Sequence, residues 1–261
     1  MHVQLNFKLT EKKIFFASDF HLGAPNATQS RIRENQLCQW LDRIKPEAQA
    51  VFLLGDLFDF WYEYRYTVPK GYIRFLAKLA EFTDSGIPVY VFTGNHDLWM
   101  NDYLVQEIGL TIYRDPILIE INSTRVLVGH GDGLGPGDYK YKVLKFFFKN
   151  ALCQWLFSRL HPNLAFYIAR QSSRRSRIQT AHTDETFKGN ENEWLYLYSK
   201  EEELKKTAHY FIFGHRHLHL NLELPLGGRY INLGEWIREC YYLEWNSKEV
   251  ITRSFHSEQN R

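Results

Sequence analysis

The stretch VYVFTGNHD, at residues 89–97, decides the fold of this chain. An apolar run rich in valine and aromatic residues stops at Gly94, and three polar side chains able to bind a metal follow it. Such a run predicts a buried strand. Because open α/β sheets bind their ligands at the carboxyl ends of their strands, the polar end predicts a site at that edge.

Four other stretches repeat this pattern of an apolar run followed by Asp or His. Residues 14–16 precede Asp19 and His21, 51–54 precede Asp56, 126–128 precede His130, and 210–213 precede His215 and His217. One such strand end is weak support for a site, since Gly-Asp and Gly-His also form ordinary turns. Five in one chain predict that several strands deliver ligands to a common edge.

Composition narrows the class of protein. A chain of 261 residues, 44% hydrophobic and 24% charged, is typical of one globular domain and excludes broad disorder. A net charge of +2 excludes a general polyanion binder. The cysteines Cys38, Cys153 and Cys240 are too far apart for a disulfide framework and fit thiols in a reducing cytosol.

No signal peptide and no apolar run approaching ~18 residues is visible, so we expect a cytoplasmic protein, at most attached to a membrane surface.

Apolar periodicity predicts the secondary structure. The first hundred residues show β-α-β-α-β order, with strands at 13–19 and 50–55 and helices at 31–44 and 72–82. Further strands are expected at 110–113, 116–121, 124–129, 209–214, 220–225, 229–233, 240–245 and 249–255. This mix predicts an α/β chain in which two sheets pack face to face with helices outside, forming one domain over residues 1–261.

A region at about 134–208 differs from the rest and predicts a helical insertion. Between residues 139 and 183 it carries nine basic residues and no acidic one, interleaved with apolar clusters. The pattern fits two or more amphipathic helices broken near Pro162. The insertion either packs on the sandwich with solvated cations outside, or forms a basic apolar cap that touches anionic lipid or a lipid-like substrate. The candidate substrate contacts are Trp155, Phe157, Phe166, Arg174, Arg175 and Arg177.

The strand ends supply seven candidate ligands for two divalent metal ions, namely Asp19, His21, Asp56, Asn95, His130, His215 and His217. Two ions ~3.5–4 Å apart need a shared anion, which Asp56 can supply. Four imidazoles favour manganese, iron, zinc or cobalt over calcium or magnesium alone. Such a centre lowers the pKa of a water and polarises a phosphoryl oxygen.

Two residues beside the ligands are candidate catalytic groups. His96 follows Asn95 and is placed to stabilise developing charge or to protonate a departing oxygen. Asp97 is expected to orient His96, as carboxylates commonly orient imidazoles. Asp59 fits either an acid close to the site or a solvated carboxylate in a turn.

The spacing of these residues resembles a family signature. The blocks are Asp19-x-His21, Gly55-Asp56, Gly94-Asn95-His96-Asp97, Gly129-His130 and Gly214-His215-x-His217. They resemble, in order, the five blocks of the calcineurin-like metallophosphoesterases. The resemblance implies a four-layer αββα sandwich with a two-metal site. It places Asp19, His21, Asp56 and His217 on one ion, and Asp56, Asn95, His130 and His215 on the other.

Within that superfamily the chain is similar to the UDP-2,3-diacylglucosamine diphosphatases of lipid A biosynthesis. The similar stretches are SDFHLG at 18–23, GDLFD at 55–59, GHGD at 129–132, and the basic insertion with LHP at 160–162. The resemblance implies cleavage of a lipid-linked UDP-sugar to a lipid monophosphate and UMP, with manganese as the expected metal and iron or zinc as alternatives. It also implies a peripheral position on the cytoplasmic face of the inner membrane. The best-known branch has arginine where this chain has His96.

Other functions remain open at this point. The same metals could serve another phosphoester, such as a nucleotide, a cyclic nucleotide or a phosphoprotein, and the test is whether the insertion forms an apolar channel. A degenerate fold used only as a binding scaffold should have lost ligands, and here all seven are present with His96. Nucleic-acid binding is not expected, because the basic stretch is dense in apolar residues and matches no known binding motif.

Overall fold

The computed structural model describes residues 2–136, 139–184 and 186–256, and at 139–141, 144 and 174–184 the description covers the backbone only. The strands are β1 (Val3–Phe7), β2 (Lys13–Ala17), β3 (Ala48–Leu53), β4 (Val89–Phe92), β5 (Thr111–Tyr113), β6 (Ile117–Ile121), β7 (Thr124–Val128), β8 (Tyr210–Phe213), β9 (His219–Glu223), β10 (Arg229–Leu233), β11 (Tyr241–Trp245) and β12 (Val250–Ser254). The helices are α1 (Ala27–Ile44), α2 (Ile73–Asp84), α3 (Tyr103–Ile108), α4 (Tyr139–Lys149), α5 (Ala151–Ser158), α6 (Pro162–Asp184) and α7 (Trp194–Leu204).

The strands form two six-stranded sheets. The first has the order β12-β11-β2-β3-β4-β5, in which β2, β3, β4 and β5 are parallel. The second has the order β1-β6-β7-β8-β10-β9, in which β7, β8 and β10 are parallel. Parallel neighbours end at the same edge of a sheet, so the loops after β2, β3 and β4 lie side by side, as do those after β7 and β8.

Three clusters of buried side chains show how the layers pack. The cluster around Trp40 joins α1 and α2 to the first sheet. The cluster around Phe52 draws on strands of both sheets and fills the space between them. The cluster around Phe211 joins the second sheet to α7. Three cores separate four layers, so the expected α/β fold, a four-layer αββα sandwich, is confirmed.

The region at 134–208 divides into two parts. Helices α4, α5 and α6 follow one another, and α6 begins at Pro162, where proline is favoured because the first helical N–H has no partner. Helix α7 instead buries Leu195 and Tyr196 against the second sheet. Helix α7 therefore belongs to the outer layer of the sandwich. Within the described part of the chain, no helix combines the length and the apolar character needed to cross a membrane.

Two elements were not anticipated. Strand β1 pairs in parallel with β6 at the edge of the second sheet, and most of its side chains are exposed. Helix α7 lies within the region 134–208 that the sequence assigned to the insertion, and its last turns are rich in charged residues. In both cases the element is held by a strand distant in sequence, and apolar periodicity within a short window carries no information about such contacts.

Candidate metal centre

The loops that follow five strands, three in the first sheet and two in the second, meet at one site. Residues after β2, β3 and β4 come from the first sheet, and residues after β7 and β8 come from the second. They bring together all seven residues expected from the sequence: Asp19, His21, Asp56, Asn95, His130, His215 and His217. The structure thus concentrates carboxylate, amide and imidazole groups at one place in the fold.

Five of these residues have a left-handed backbone, with φ of 57° at Asp19, 44° at His21, 52° at Asp56, 71° at His215 and 51° at His217. Residues other than glycine rarely adopt this conformation, and it costs free energy unless the surrounding structure holds it. Such strain is commonly found at functional sites. Here it turns the chain sharply at the strand ends, so that ligands two positions apart both reach the centre.

Glycines before the ligands make room for them. A Cβ on Gly94 would meet Oδ1 of Asp56, and a Cβ on Gly214 would meet Oδ2 of Asp19. Those same oxygens accept backbone hydrogen bonds, because the N–H of His96 donates to Asp56 Oδ1 at 2.9 Å and that of His215 donates to Asp19 Oδ2 at 3.0 Å. Each carboxylate is therefore fixed by one oxygen and presents the other to the histidines.

One group of ligands surrounds Asp19. The ligand atoms of Asp19, His21, Asp56 and His217 all lie within 4.8 Å of one another. The two Nε2 atoms of His21 and His217 are 3.0 Å apart, and Nε2 of His217 is 3.2 Å from Oδ1 of Asp19. Atoms so close, on side chains that are mostly buried, suit coordination of a shared cation.

The second group surrounds Asn95. Its Oδ1 lies 3.2 Å from Nε2 of His130 and 2.9 Å from Nδ1 of His215. Oδ2 of Asp56 lies 3.5 Å from Nε2 of His130 and 3.7 Å from Nε2 of His21, so one oxygen faces both groups. This is the position that a bridging carboxylate needs.

The donors fit divalent metal ions. Oδ1 of Asp19 is buried and accepts no well-formed hydrogen bond from any described residue, although Nε2 of His217 is 3.2 Å away. Nδ1 of His130 lies 2.7 Å from the carbonyl oxygen of Leu54 and donates to it. That bond leaves Nε2 of His130 free to face the centre, as in metal-binding histidines held by a backbone carbonyl.

The pKa values of Asp56 and His130 also favour a bound cation. Burial acts to raise the pKa of Asp56, but the positive charges on His130 and His96 outweigh it and lower the pKa well below its usual range. Burial acts to lower the pKa of His130, but the carboxylate of Asp56 raises it to about 10. The buried carboxylates thus hold a proton on His130 in the absence of a cation. A divalent ion can take the place of that proton, since metal binding displaces protons from its ligands.

His96 lies beside the ligands and contacts two groups that the sequence did not single out together. Its Nδ1 is 3.0 Å from the carbonyl oxygen of Asp59, 3.7 Å from Oδ1 of Asp59 and 3.1 Å from Oγ of Ser173. A carbonyl oxygen only accepts, so Nδ1 carries the proton and donates it. Asp59 is therefore a buried residue of the centre, and not a solvated carboxylate in a turn.

The expected contact between Asp97 and His96 is replaced by another arrangement. The carboxylate of Asp97 is buried and accepts backbone N–H groups from Gly94 at 2.7 Å and from Leu57 at 2.7 Å. It thereby joins the loops after β3 and β4, and Asp59 occupies the place beside Nδ1 of His96. The expectation that Asp97 orients His96 was wrong in this respect, because adjacency in sequence did not reveal which way the side chain turns.

The candidate substrate contacts in the insertion are dispersed. Phe157 packs on Trp99, with ring centroids 4.8 Å apart, close to His96. Phe166 packs on Phe60, with centroids 5.3 Å apart, and Trp155 is 52% exposed. The side chains of Arg174, Arg175 and Arg177 lie outside the described residues. The three aromatic residues that the sequence grouped as substrate contacts therefore lie in three different environments.

Ser173 was missed by sequence reasoning. It lies on α6, distant in sequence from His96, within a serine- and arginine-rich run typical of a solvated helix face. Its burial and its contacts depend on how α6 packs, so no local signal could have found it.

Buried carboxylates and imidazoles grouped at the ends of strands from both sheets, with a histidine beside them, are the arrangement expected of a metal-dependent hydrolase. The sequence model of the calcineurin-like phosphoesterases matches residues 12–219. The chain belongs to this family.

Relatives extend over most of the chain. It is 36% identical over 259 residues to the UDP-2,3-diacylglucosamine hydrolase of Porphyromonas gingivalis, covering 93% of this chain and 97% of that protein. It is 28% identical over 230 residues to the UDP-2,3-diacylglucosamine hydrolase of Aeromonas hydrophila, covering 86% of this chain and 90% of that protein. Among solved structures, the phosphoesterase Yfce from E. coli matches with 15% identity and a TM-score of 0.44, covering 94% of each chain.

Proposed function

We propose that this chain hydrolyses the pyrophosphate bond of UDP-2,3-diacylglucosamine, giving a diacylated sugar monophosphate and UMP. The observation that carries this proposal is an apolar cavity beside His96, walled by side chains of α4, α5 and α6. The two relatives named above are UDP-2,3-diacylglucosamine hydrolases. A soluble phosphoester would need no apolar chamber, so the cavity favours an acylated substrate over a nucleotide or a phosphoprotein.

The cavity has a volume of about 300 Å³. Phe148 of α4, Phe157 of α5 and Ile168 of α6 line it, and it reaches Asn95 and His96. Each methylene buried there would contribute about 0.8 kcal/mol. An acyl chain on the sugar could therefore anchor the substrate while the pyrophosphate lies at the metal ligands.

A second cavity, of about 600 Å³, is also largely apolar, but its lining includes basic side chains. Lys70, Tyr72 and Arg170 line it, together with Phe166. We assign the nucleotide half of the substrate to this cavity, because ammonium and guanidinium groups bind phosphate and aromatic rings stack on a base. Asp59 lines both cavities, so both lie next to the carboxylate that contacts His96.

The chain's own residues would carry distinct parts of the reaction. Two divalent ions, when bound by the seven ligands, lower the pKa of a water and polarise the phosphoryl oxygen. His96 donates from Nδ1 to the carbonyl of Asp59, which leaves Nε2 to hold a proton for the departing oxygen. Asp97 keeps the loops after β3 and β4 in register, and so holds Asp56 and Asn95 in place.

We propose manganese as the metal. The ligand set combines carboxylate and amide oxygens with imidazole nitrogens. That mixture suits Mn²⁺, with Fe²⁺ and Zn²⁺ as the alternatives to test, and is poorly matched to Ca²⁺ or Mg²⁺ alone.

The outer face of the insertion supports an association with lipid. Several large apolar side chains on α4 and α5 are exposed, including Phe146, Phe147, Leu152, Trp155 and Leu156. Exposed apolar patches of this kind mark interaction surfaces, and basic residues among them favour anionic lipid. We therefore place the protein at the cytoplasmic face of the inner membrane, where it would take a lipid-linked substrate from the bilayer.

A direct assay tests the proposal. Purified protein with Mn²⁺ is given UDP-2,3-diacylglucosamine, a UDP-sugar without acyl chains, and bis(p-nitrophenyl) phosphate. We expect a kcat/KM for the diacylated substrate far above that for the other two, with UMP as the nucleotide product. Comparable values for the acylated and the non-acylated UDP-sugar would favour a soluble phosphoester.

A further inference from the structure

Ser173 connects the insertion to the catalytic histidine. It lies on α6, is only 8% exposed, and its Oγ lies 2.7 Å from Oδ1 of Asp59 and 3.1 Å from Nδ1 of His96. Its hydroxyl therefore touches both members of a carboxylate–imidazole pair. Asp59 and His96 come from loops of the first sheet, whereas Ser173 comes from the insertion.

The chemistry of the three groups fixes the direction of these hydrogen bonds. A carboxylate accepts, so the hydroxyl of Ser173 donates to Asp59. The oxygen of Ser173 is then free to accept the Nδ1–H of His96, which it shares with the carbonyl of Asp59. The direct separation between Oδ1 of Asp59 and Nδ1 of His96 is 3.7 Å, too long for a hydrogen bond.

We infer that Ser173 is a positioning residue, which bridges Asp59 to His96 and holds the imidazole with its proton on Nδ1. This inference rests on the proposed role of His96 in phosphoester hydrolysis. The carboxylate of Asp59 acts on His96 largely through the serine hydroxyl. The insertion thus completes the catalytic centre, in addition to forming the apolar cavity. It follows that the packing of α6 affects turnover of every substrate, including those without acyl chains.

The test replaces Ser173 and measures a substrate that does not need the apolar cavity. With Mn²⁺-loaded enzyme and diphenyl phosphate, a diester without acyl chains whose leaving group is less acidic than p-nitrophenol, Ser173→Ala should lower kcat by roughly 10- to 100-fold, the range for loss of a hydrogen bond to a charged group. KM and metal content should stay within about twofold. Leu164→Ala is the control for a change elsewhere on α6, since Leu164 lies on the same helix, is 49% exposed and lines neither cavity. Ser173→Thr keeps the hydroxyl and should recover most of the lost kcat.

The same substitution made in the His96→Ala variant distinguishes a positioning role of Ser173 from a role in folding. If Ser173 acts through His96, adding Ser173→Ala to His96→Ala should change kcat by less than about twofold, because coupled residues are not additive. A full additional loss in that background would overturn the inference and would make Ser173 a residue of the fold. A Ser173→Ala enzyme as active as the parent would also overturn it. If His96→Ala itself has no effect, the proposed role of His96 fails, which is a different outcome from the failure of the serine bridge.

Discussion

Phe157 and Trp155 lie two positions apart on α5, and the structure predicts different roles for them. The ring of Phe157 packs 4.8 Å from that of Trp99 and lines the apolar cavity beside His96. Trp155 is 52% exposed, and the guanidinium of Arg159 lies 4.8 Å above its ring. We expect Phe157 to contact an acyl chain inside the cavity, and Trp155 to contact the lipid surface outside it.

The size of the effect follows from the packing of the ring. Full burial of a phenylalanine side chain contributes about 1.5–3 kcal/mol. Part of the Phe157 ring already packs on Tyr62 and Trp99, at centroid distances of 4.9 and 4.8 Å, so roughly half remains for the substrate. A loss of about 1 kcal/mol in Phe157→Ala should raise KM for the diacylated UDP-sugar about fivefold. The kcat values for that substrate and for bis(p-nitrophenyl) phosphate should stay within about twofold.

The control and the refuting outcomes are specific. Trp155→Ala should leave KM unchanged in detergent micelles, but should weaken binding to vesicles that contain anionic lipid. The Tm of both variants shows whether the packing of residue 157 on Tyr62 and Trp99 is needed for stability. Equal losses on both substrates would mean that Phe157 only holds the insertion in place. An unchanged KM would mean that acyl chains bind elsewhere, and the assignment of this cavity would be wrong.

Three further predictions concern the metal centre. Asp56→Asn should abolish turnover and lower the bound metal measured by elemental analysis, because one oxygen of Asp56 faces both ligand groups; a variant that keeps two metals and near-full activity would refute the bridge. His96→Ala should keep both metals and lower kcat by on the order of 10²–10⁴-fold, with a smaller loss for leaving groups of low pKa; equal losses for all leaving groups would favour positioning over acid catalysis. In the metal-free protein the carboxylate of Asp56 raises the pKa of His130 to about 10, so metal binding at neutral pH must expel a proton. Calorimetry in buffers of different ionisation enthalpy should show proton release, with affinity falling as the pH is lowered, and a pH-independent affinity would contradict the reasoning.

The sequence predicted those parts of the site that local signals encode. The apolar run of β4 and the glycine at 94 mark the end of a strand, and the side chain that follows, Asn95, is a ligand type. Because parallel neighbours end at the same edge, the strand ends group Asp19 with Asp56 and Asn95 in the first sheet, and His130 with His215 and His217 in the second. The resemblance to the family signature joined these two sets into one site. The order of the blocks then identified the layered sandwich, and the structure confirms it.

What the sequence could not predict depends on contacts between distant segments. Asp97 follows His96 directly, yet its carboxylate turns to backbone N–H groups of Gly94 and Leu57. Ser173 is in a polar run of α6, and only the packing of the helices brings it to Asp59. The exposed position of Trp155 and the cavity position of Phe157 also depend on how α5 is rotated. Helical spacing alone did not decide that rotation.

The arrangement of the centre explains why its proposed ligands follow strands of the sheets, while the proposed substrate contacts lie in the insertion. The ligands stand on strained turns, with φ of 57° at Asp19 and 52° at Asp56, and each such residue costs on the order of 1–3 kcal/mol. Only a rigid support can hold that strain, and the paired sheets with their buried core provide it. The insertion carries no ligand of the proposed set, so substitutions in its cavities should leave the metal ligands in place. Ser173 is the exception, since it ties the seating of α6 to the orientation of His96.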